Sequence, residues 1–272
     1  MAGNFVQLHN HTHYSLLDGA SKVPDLVKRV KELGMPAVGI TDHGNMHGAY
    51  ELWRAAVDSG VKPIIGIEAY VTPETARQDK TRVSWDTNWT PVPGHARNPD
   101  DVSGGGLITH LTMWAENDEG LVNLIKASSV ANLEGRVMRY PRMDKEVLST
   151  YSKGVIASSG CPSGIIQTRL RLGQFDEALR AAGEFQDIFG KDNFYIELMD
   201  HGLSIESKVT GDLLTIAKKL GAPLLATNDS HYVMEADKDA QDAMLCINSG
   251  ATLDDPNRFK FEGSGYYIKS AE

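Results

Sequence analysis

The side chains able to do chemistry fall in short clusters: His9 and His11 with Asp18 behind them, His43 after Asp42, and Asp229 with His231. Glu68, His110 and Cys161 stand singly between these clusters. In an extended segment residues i and i+2 face the same way, so His9 and His11 present two imidazoles side by side. Paired imidazoles fill a core poorly and bind metals well. Each candidate has an ordinary explanation when taken singly. Glu68 could be a paired buried acid and His110 a satisfied core histidine. Cys161 could be a small buried hydrophobe, as Cys246 is read to be, and Asp229 and His231 could cap the next helix. Together they put nitrogen, oxygen and one sulfur donor at six of seven expected strand ends, which chance seldom does. The mixture suits zinc best, with manganese and iron, which favour sulfur less, as alternatives. Nine donors exceed the needs of one four-coordinate ion, so two or three divalent ions sharing a bridging carboxylate are expected. Metals clustered about 3.5–4 Å apart activate water and clamp both oxygens of an in-line displacement at phosphorus.

These residues need elements to hold them. An apolar strand over Phe5–Thr12 carries the first two histidines. A helix opens at Val23-Pro24-Asp25, buries Leu26, Val27, Val30 and Leu33 on one stripe, and ends before Gly34. Ala37–Ile40 reads as a strand running into Thr41-Asp42-His43-Gly44-Asn45, followed by a helix that stops at Gly60. Pro63–Val71, an apolar run broken by Glu68, is typical of a parallel strand covered on both faces. Further strands are expected over 107–115 with His110, 154–159 leading to Gly160-Cys161, 194–199 ending at Asp200-His201, and 223–226 leading to Asp229 and His231. Seven strands, each followed by helical sequence, predict an α/β fold of the (β/α) barrel kind lacking one repeat. Every candidate would sit at a C-terminal strand end, and an open doubly wound sheet is the alternative. A polar stretch over 72–106, with Pro73, Pro91, Pro93 and Pro99, is read as an inserted loop in which Trp85 and Trp89 must cover something. Phe259–Ser270 lies outside the rhythm. The expected division is therefore one domain over 1–255 and, over 256–272, the start of a following portion of a longer chain.

Composition narrows the class. The net charge of −9 argues against holding nucleic acid by overall charge, although clustered divalent ions would reverse the sign locally. Two distant cysteines give no disulfide framework. A basic leader and an 18-residue apolar run are both missing, so a soluble, cytoplasmic protein without a membrane partner is expected. Phosphate-loop, dinucleotide-fingerprint and Gly-x-Ser-x-Gly patterns do not occur. His9-Asn10-His11 spells the letters of the HNH nuclease motif without its separated residues.

The strings Leu8-His9-Asn10-His11-Thr12 to Leu17-Asp18-Gly19, Gly39-Ile40-Thr41-Asp42-His43-Gly44 and Ile67-Glu68-Ala69-Tyr70 resemble the PHP (polymerase and histidinol phosphatase) superfamily. Thr109-His110-Leu111-Thr112, Ser159-Gly160-Cys161-Pro162 and Ala226-Thr227-Asn228-Asp229-Ser230-His231-Tyr232 are similar to the PHP domains of bacterial DNA polymerase III α subunits of the DnaE type. The resemblance spans essentially the whole chain. It implies a distorted (β/α)7 barrel with up to three metals in its mouth. One ion would take His9, His11, Glu68 and Asp229; a second would share Glu68 and take His110 and Cys161; a third would take Asp18, His43 and His231. The implied activity is metal-dependent phosphodiester hydrolysis, a 3′→5′ proofreading exonuclease acting on DNA primer ends. Asp42 would orient a ligand, and His201 would touch substrate or donate a proton. The implied partners are the primer 3′ end, the remainder of the polymerase III α chain and replisome subunits. A metal-stabilised module that docks the polymerase or a proofreading subunit, and a free-standing phosphomonoesterase of the histidinol-phosphatase kind, are the rivals.

Overall fold

The computed structural model describes residues 5–92 and 97–271; Pro93 and its neighbours through 96 in the expected insertion, residues 1–4 and Glu272 lie outside the described residues. In chain order come α1 (Val23–Glu32), β1 (Ala37–Ile40), α2 (Ala49–Ser59), β2 (Lys62–Val71), the single distorted turn α3 (Ser103–Gly106) and β3 (Thr109–Ala115). There follow α4 (Asp118–Glu134), β4 (Arg142–Met143), α5 (Lys145–Thr150), β5 (Val155–Ser158), α6 (Ile165–Arg171) and α7 (Phe175–Phe189). The chain continues through β6 (Phe194–Leu198), α8 (Ser204–Leu220), β7 (Leu224–Ala226) and α9 (Lys238–Ser249). The fold is α/β, with helices following strands in the order a distorted (β/α)7 arrangement requires. It divides into two compact units: Met1–Ile67 with Met199–Leu203 and Thr227–Glu272, and Glu68–Leu198 with Ser204–Ala226. No described helix is long and apolar enough to cross a membrane.

In the first unit α1 starts on Pro24 and Asp25 and ends on Arg29 and Lys31, complementing its dipole. Its buried stripe of Val23, Leu26, Val27 and Val30 packs with Val38, Ile40, Leu52, Ala56, Val233 and Ile268. β1 runs parallel to the start of β2, from Ala37 opposite Lys62 to Ile40 opposite Ile65. The segment expected as a first strand is instead held by single bridges, Gln7 to Val38 and Asn10 to Ser230. Side chains interrupt a regular ladder there: Asn10 Nδ2 donates to the carbonyls of Gln7 and Gly39 at 3.0 and 2.8 Å. A Cβ at Gly39 would lie 2.6 Å from the Leu8 carbonyl oxygen, so only glycine allows β1 this approach. The stretch that falls outside the strand–helix rhythm is part of this core. Ile268 is fully buried, its N–H donates to Val233 O, and Tyr267 bridges Tyr232.

In the second unit β5 pairs parallel with β6 and β6 with β7, but β3 pairs antiparallel with β5, Thr112 opposite Ser158. This reversal corrects one expectation. His110 is the second residue of β3 and lies at its beginning, not at its C-terminal end. Because β3 runs against β5, the start of β3 lies beside the exit of β5, where Cys161 follows. The two-residue β4, parallel to β2 at Tyr70 and Val71, has no periodic signal to announce it. The described part of the insertion is ordered. Asp101 accepts from Ser84 Oγ and from the backbone N–H groups of Trp85, Asp86 and Val102. Trp85 is buried beneath Arg169 of α6, whose guanidinium carbon lies 3.7 Å from the ring centroid. The buried Arg142 guanidinium donates to the carbonyls of Arg77, Asp79, Leu107 and Gly135, tying both ends of the insertion to the unit.

Candidate metal centre

The first unit brings together six of the nine expected ligands: His9, His11, Asp18, His43, Asp229 and His231. His9 and His11 are fully buried, and their Nε2 atoms lie 3.4 and 3.1 Å from Asp229 Oδ1. The His11 ring lies 4.1 Å from that of His43 and 4.3 Å from that of His231, centroid to centroid. Asp18 Oδ2 meets His43 Nε2 at 2.7 Å and His231 Nε2 at 3.6 Å. Two groups, His9–His11–Asp229 and His11–His43–His231, each have ligand atoms within 4.8 Å of one another, the spacing at which an ion could be shared.

Hydrogen bonds set the tautomers. Ser15 Oγ donates to Asp42 Oδ1 at 2.7 Å, so its lone pairs accept from His11 Nδ1 at 3.0 Å and from the His43 N–H at 3.1 Å. His11 therefore carries its proton on Nδ1 and turns the Nε2 lone pair towards Asp229. His231 Nδ1 donates to its neighbour's carbonyl, Asp229 O, at 2.8 Å and leaves Nε2 facing Asp18. Fixing the ring through its far nitrogen is how proteins hold metal-binding imidazoles. Burial, with His43 and His231 beside it, lowers the His11 pKa to about 3, so the ring is neutral and fit to ligate. Burial alone would raise the pKa values of Asp18 and Asp229. The imidazoles around them outweigh it and hold both well below the usual carboxylate range. For His231 burial acts downward, but Asp229 and Asp18 raise it. Asp42 differs: burial outweighs the bonds from Thr12 and Ser15 and raises its carboxyl. Asp42 accepts from Thr12 N, Thr12 Oγ1 and Ser15 Oγ, which makes it the support beneath the cluster.

Asp229 has a left-handed backbone, φ 42°, rare for a non-glycine residue and held only where its surroundings over-determine it. The Asn228 side chain donates to the carbonyls of Gly265 and Tyr267 at 2.9 and 2.8 Å. His201 Nε2 donates to Asn228 O at 2.9 Å and stacks on Tyr266 at 4.1 Å. Ser230 N donates to His9 O, and His11 N to Ser230 O, locking the loop to the first segment.

The second unit gathers the other three candidates. Glu68, fully buried inside β2, puts Oε2 3.1 Å from His110 Nδ1, and Cys161 Sγ lies 3.4 Å from that same nitrogen. Carboxylate, imidazole and thiol thus converge on one point. Gly160, at φ 76°, makes the turn that places Cys161 there. Thr12, Ser15 and Asn228 were not singled out from the sequence. Ser15, four residues beyond His11 in a turn, was the one a hydroxyl-partner search could have found.

A structure that combines this α/β fold with these buried donor sets defines a protein class, and the chain belongs to the PHP domain family, whose sequence profile matches residues 7–201. Polymerase subunits are among its curated relatives. It is 53% identical to the DNA polymerase III subunit alpha of Mycobacterium leprae (strain TN) over 268 residues, and 40% identical to that of Borreliella burgdorferi over 268 residues. Each alignment covers 98% of this chain but 22% and 21% of the relative, so the chain spans about a fifth of the length of the curated relatives it matches. Among solved structures, an amidohydrolase from Chromobacterium violaceum with bound sulfate is similar at a TM-score of 0.46 and 14% identity, covering 84% of this chain and 87% of that one.

Proposed function

We propose that the chain is a metal-dependent phosphodiesterase module of a DNA polymerase III α subunit and removes terminal nucleotides from the 3′ end of a DNA primer. The observation that carries the reading is the first unit's donor set: four imidazoles and two ionised carboxylates packed together, His9, His11, Asp229 and His231 buried and Asp18 and His43 part-buried, with two rings held through Nδ1. A set so rich in imidazole nitrogen fits zinc or a similar divalent ion. His9, His11 and Asp229 would hold one ion, and Asp18, His43 and His231 another. Glu68, His110 and Cys161 form a further donor group in the second unit. Such ions supply an activated water and charge stabilisation at a phosphoryl group.

The chain's own residues do the positioning. Ser15 and Asp42 keep the His11 proton on Nδ1, and the Asp229 carbonyl does the same for His231. The left-handed turn at Asp229 aims its carboxylate at His9 and His11. Replisome subunits and the rest of an α subunit are the partners this reading implies.

Elemental analysis of protein purified without chelator, run beside an excision assay on a 3′-mismatched primer, tests the reading. Two to three zinc ions per chain and release of the mismatched nucleotide are expected. At most one ion after zinc or manganese is restored, or no release by the fully loaded protein, would overturn it.

A further inference from the structure

An aromatic cluster that belongs to neither donor set stands beside His231. Phe261 meets the His231 ring edge-on at 4.7 Å, Tyr266 packs on Phe261 at 4.7 Å, and Phe259 lies 6.0 Å from Phe261. Tyr266 in turn stacks on His201. These contacts leave Phe259 62% exposed, so one face of the ring is open to solvent. The backbone at Tyr266 is firmly anchored, because His231 N and Tyr232 N both donate to Tyr266 O and Asn228 grips the carbonyls on either side of it. Phe259, Phe261 and Tyr266 lie beyond residue 201, outside the part of the chain that the family profile matches.

Charge around the cluster is mixed: Glu262 follows Phe261, and Glu235 Oε1 accepts from Ser264 Oγ at 3.2 Å. Lys260 separates the two phenylalanines in sequence. The Lys269 ammonium lies 5.9 Å from the Tyr267 ring and comes close to Gly265, where a Cβ would meet both that nitrogen and the His201 ring at 3.2 and 3.1 Å. An exposed ring packed on a second ring, which itself meets Tyr266 and a candidate ligand for a phosphoester-cleaving metal, has the makeup of a base-stacking platform.

We propose that Phe259, backed by Phe261 and Tyr266, stacks on the unpaired terminal base of a nucleic acid strand whose last phosphodiester enters the His231 cluster. The substrate class is then a frayed or mismatched strand end, since a paired terminal base keeps its stack within the duplex and has no face to give. The inference rests on the phosphodiesterase reading for its purpose but not for its test.

A short single strand ending in 2-aminopurine reports stacking by loss of fluorescence, with or without hydrolysis. The metal-loaded protein should quench it, and a competitor ending in a base should displace it about tenfold better than one ending in an abasic site. Phe259→Ala, at an exposed position, and Phe261→Leu, which keeps apolar bulk without a π face, should each weaken the quenching titration about tenfold and erase the preference for a terminal base. Quenching without any hydrolysis supports the platform and counts against the hydrolytic reading alone. Absence of quenching by the unsubstituted protein, or equal titrations for it and both variants, overturns the platform even if nucleotides are released.

Discussion

Ser15 is the smallest residue on which the candidate centre depends. Its hydroxyl joins the buried Asp42 carboxylate to His11 Nδ1, so one oxygen transmits the charge of an acid to a ring that must stay neutral and correctly protonated. Ser15→Ala removes that link without replacing any proposed metal ligand. It leaves a buried N–H donor without its acceptor, which costs about 1–3 kcal/mol, and it frees His11 to adopt the other tautomer. Loss of such an outer partner lowers metal affinity about 10–100-fold. Chelator competition should show a drop of that size for Ser15→Ala, with circular dichroism unchanged. Affinity within twofold of the original would mean that packing alone orients His11.

At the scale of elements, Glu74 links β2's exit to three helices. At φ 64°, its carboxylate accepts from Arg169 of α6 at 2.5 Å and from Arg180 of α7 at 2.6 Å, and it lies 3.7 Å from Lys145 of α5. Burial would raise its pKa, but the two arginines outweigh that and lower it from the ordinary 4.5. A carboxylate with a depressed native pKa contributes stability that is complete above 4.5 and fades as pH falls through the native value. Glu74→Gln should therefore lower the melting temperature at pH 7, and the gap should close only below about pH 4.5. A constant gap from pH 7 to 3 would mean that shape, not charge, does the holding. The same region shows what sequence could and could not reveal. Trp85 was expected to cover something, but its cover, Arg169, stands 84 positions away and no local pattern links them. The ligand types of the first unit were legible because His-x-His and the acids follow short apolar runs. The direction of β3 was not, since an apolar strand reads the same both ways, and so His110 was placed at the wrong end of its strand. Asn228 looked like an ordinary turn residue. Its partners are carbonyls 37 and 39 positions later, in a stretch that carried no periodic signal.

At the scale of the whole molecule the difficulty is charge. With 27 basic against 36 acidic residues, a net charge of −9, the chain as a whole repels a phosphate backbone. If it acts on a primer end, attraction must come from a few local sources: bound divalent ions, the ammonium groups of Lys260 and Lys269, and the stacking rings beside His231. Stacking and metal contact displace few condensed counterions, whereas a basic groove displaces many. The logarithm of primer affinity against the logarithm of salt concentration should thus have a slope shallower than about −2, the mark of two or three released ions. Removing the metals should weaken binding more than raising salt from 50 to 200 mM does. Titrations of a fluorescent single-stranded primer against the metal-loaded and chelator-treated protein, across a salt series, measure both quantities. A slope near −5, unchanged by chelator, would reveal a basic track that the net charge conceals and would remove the metals from substrate attraction.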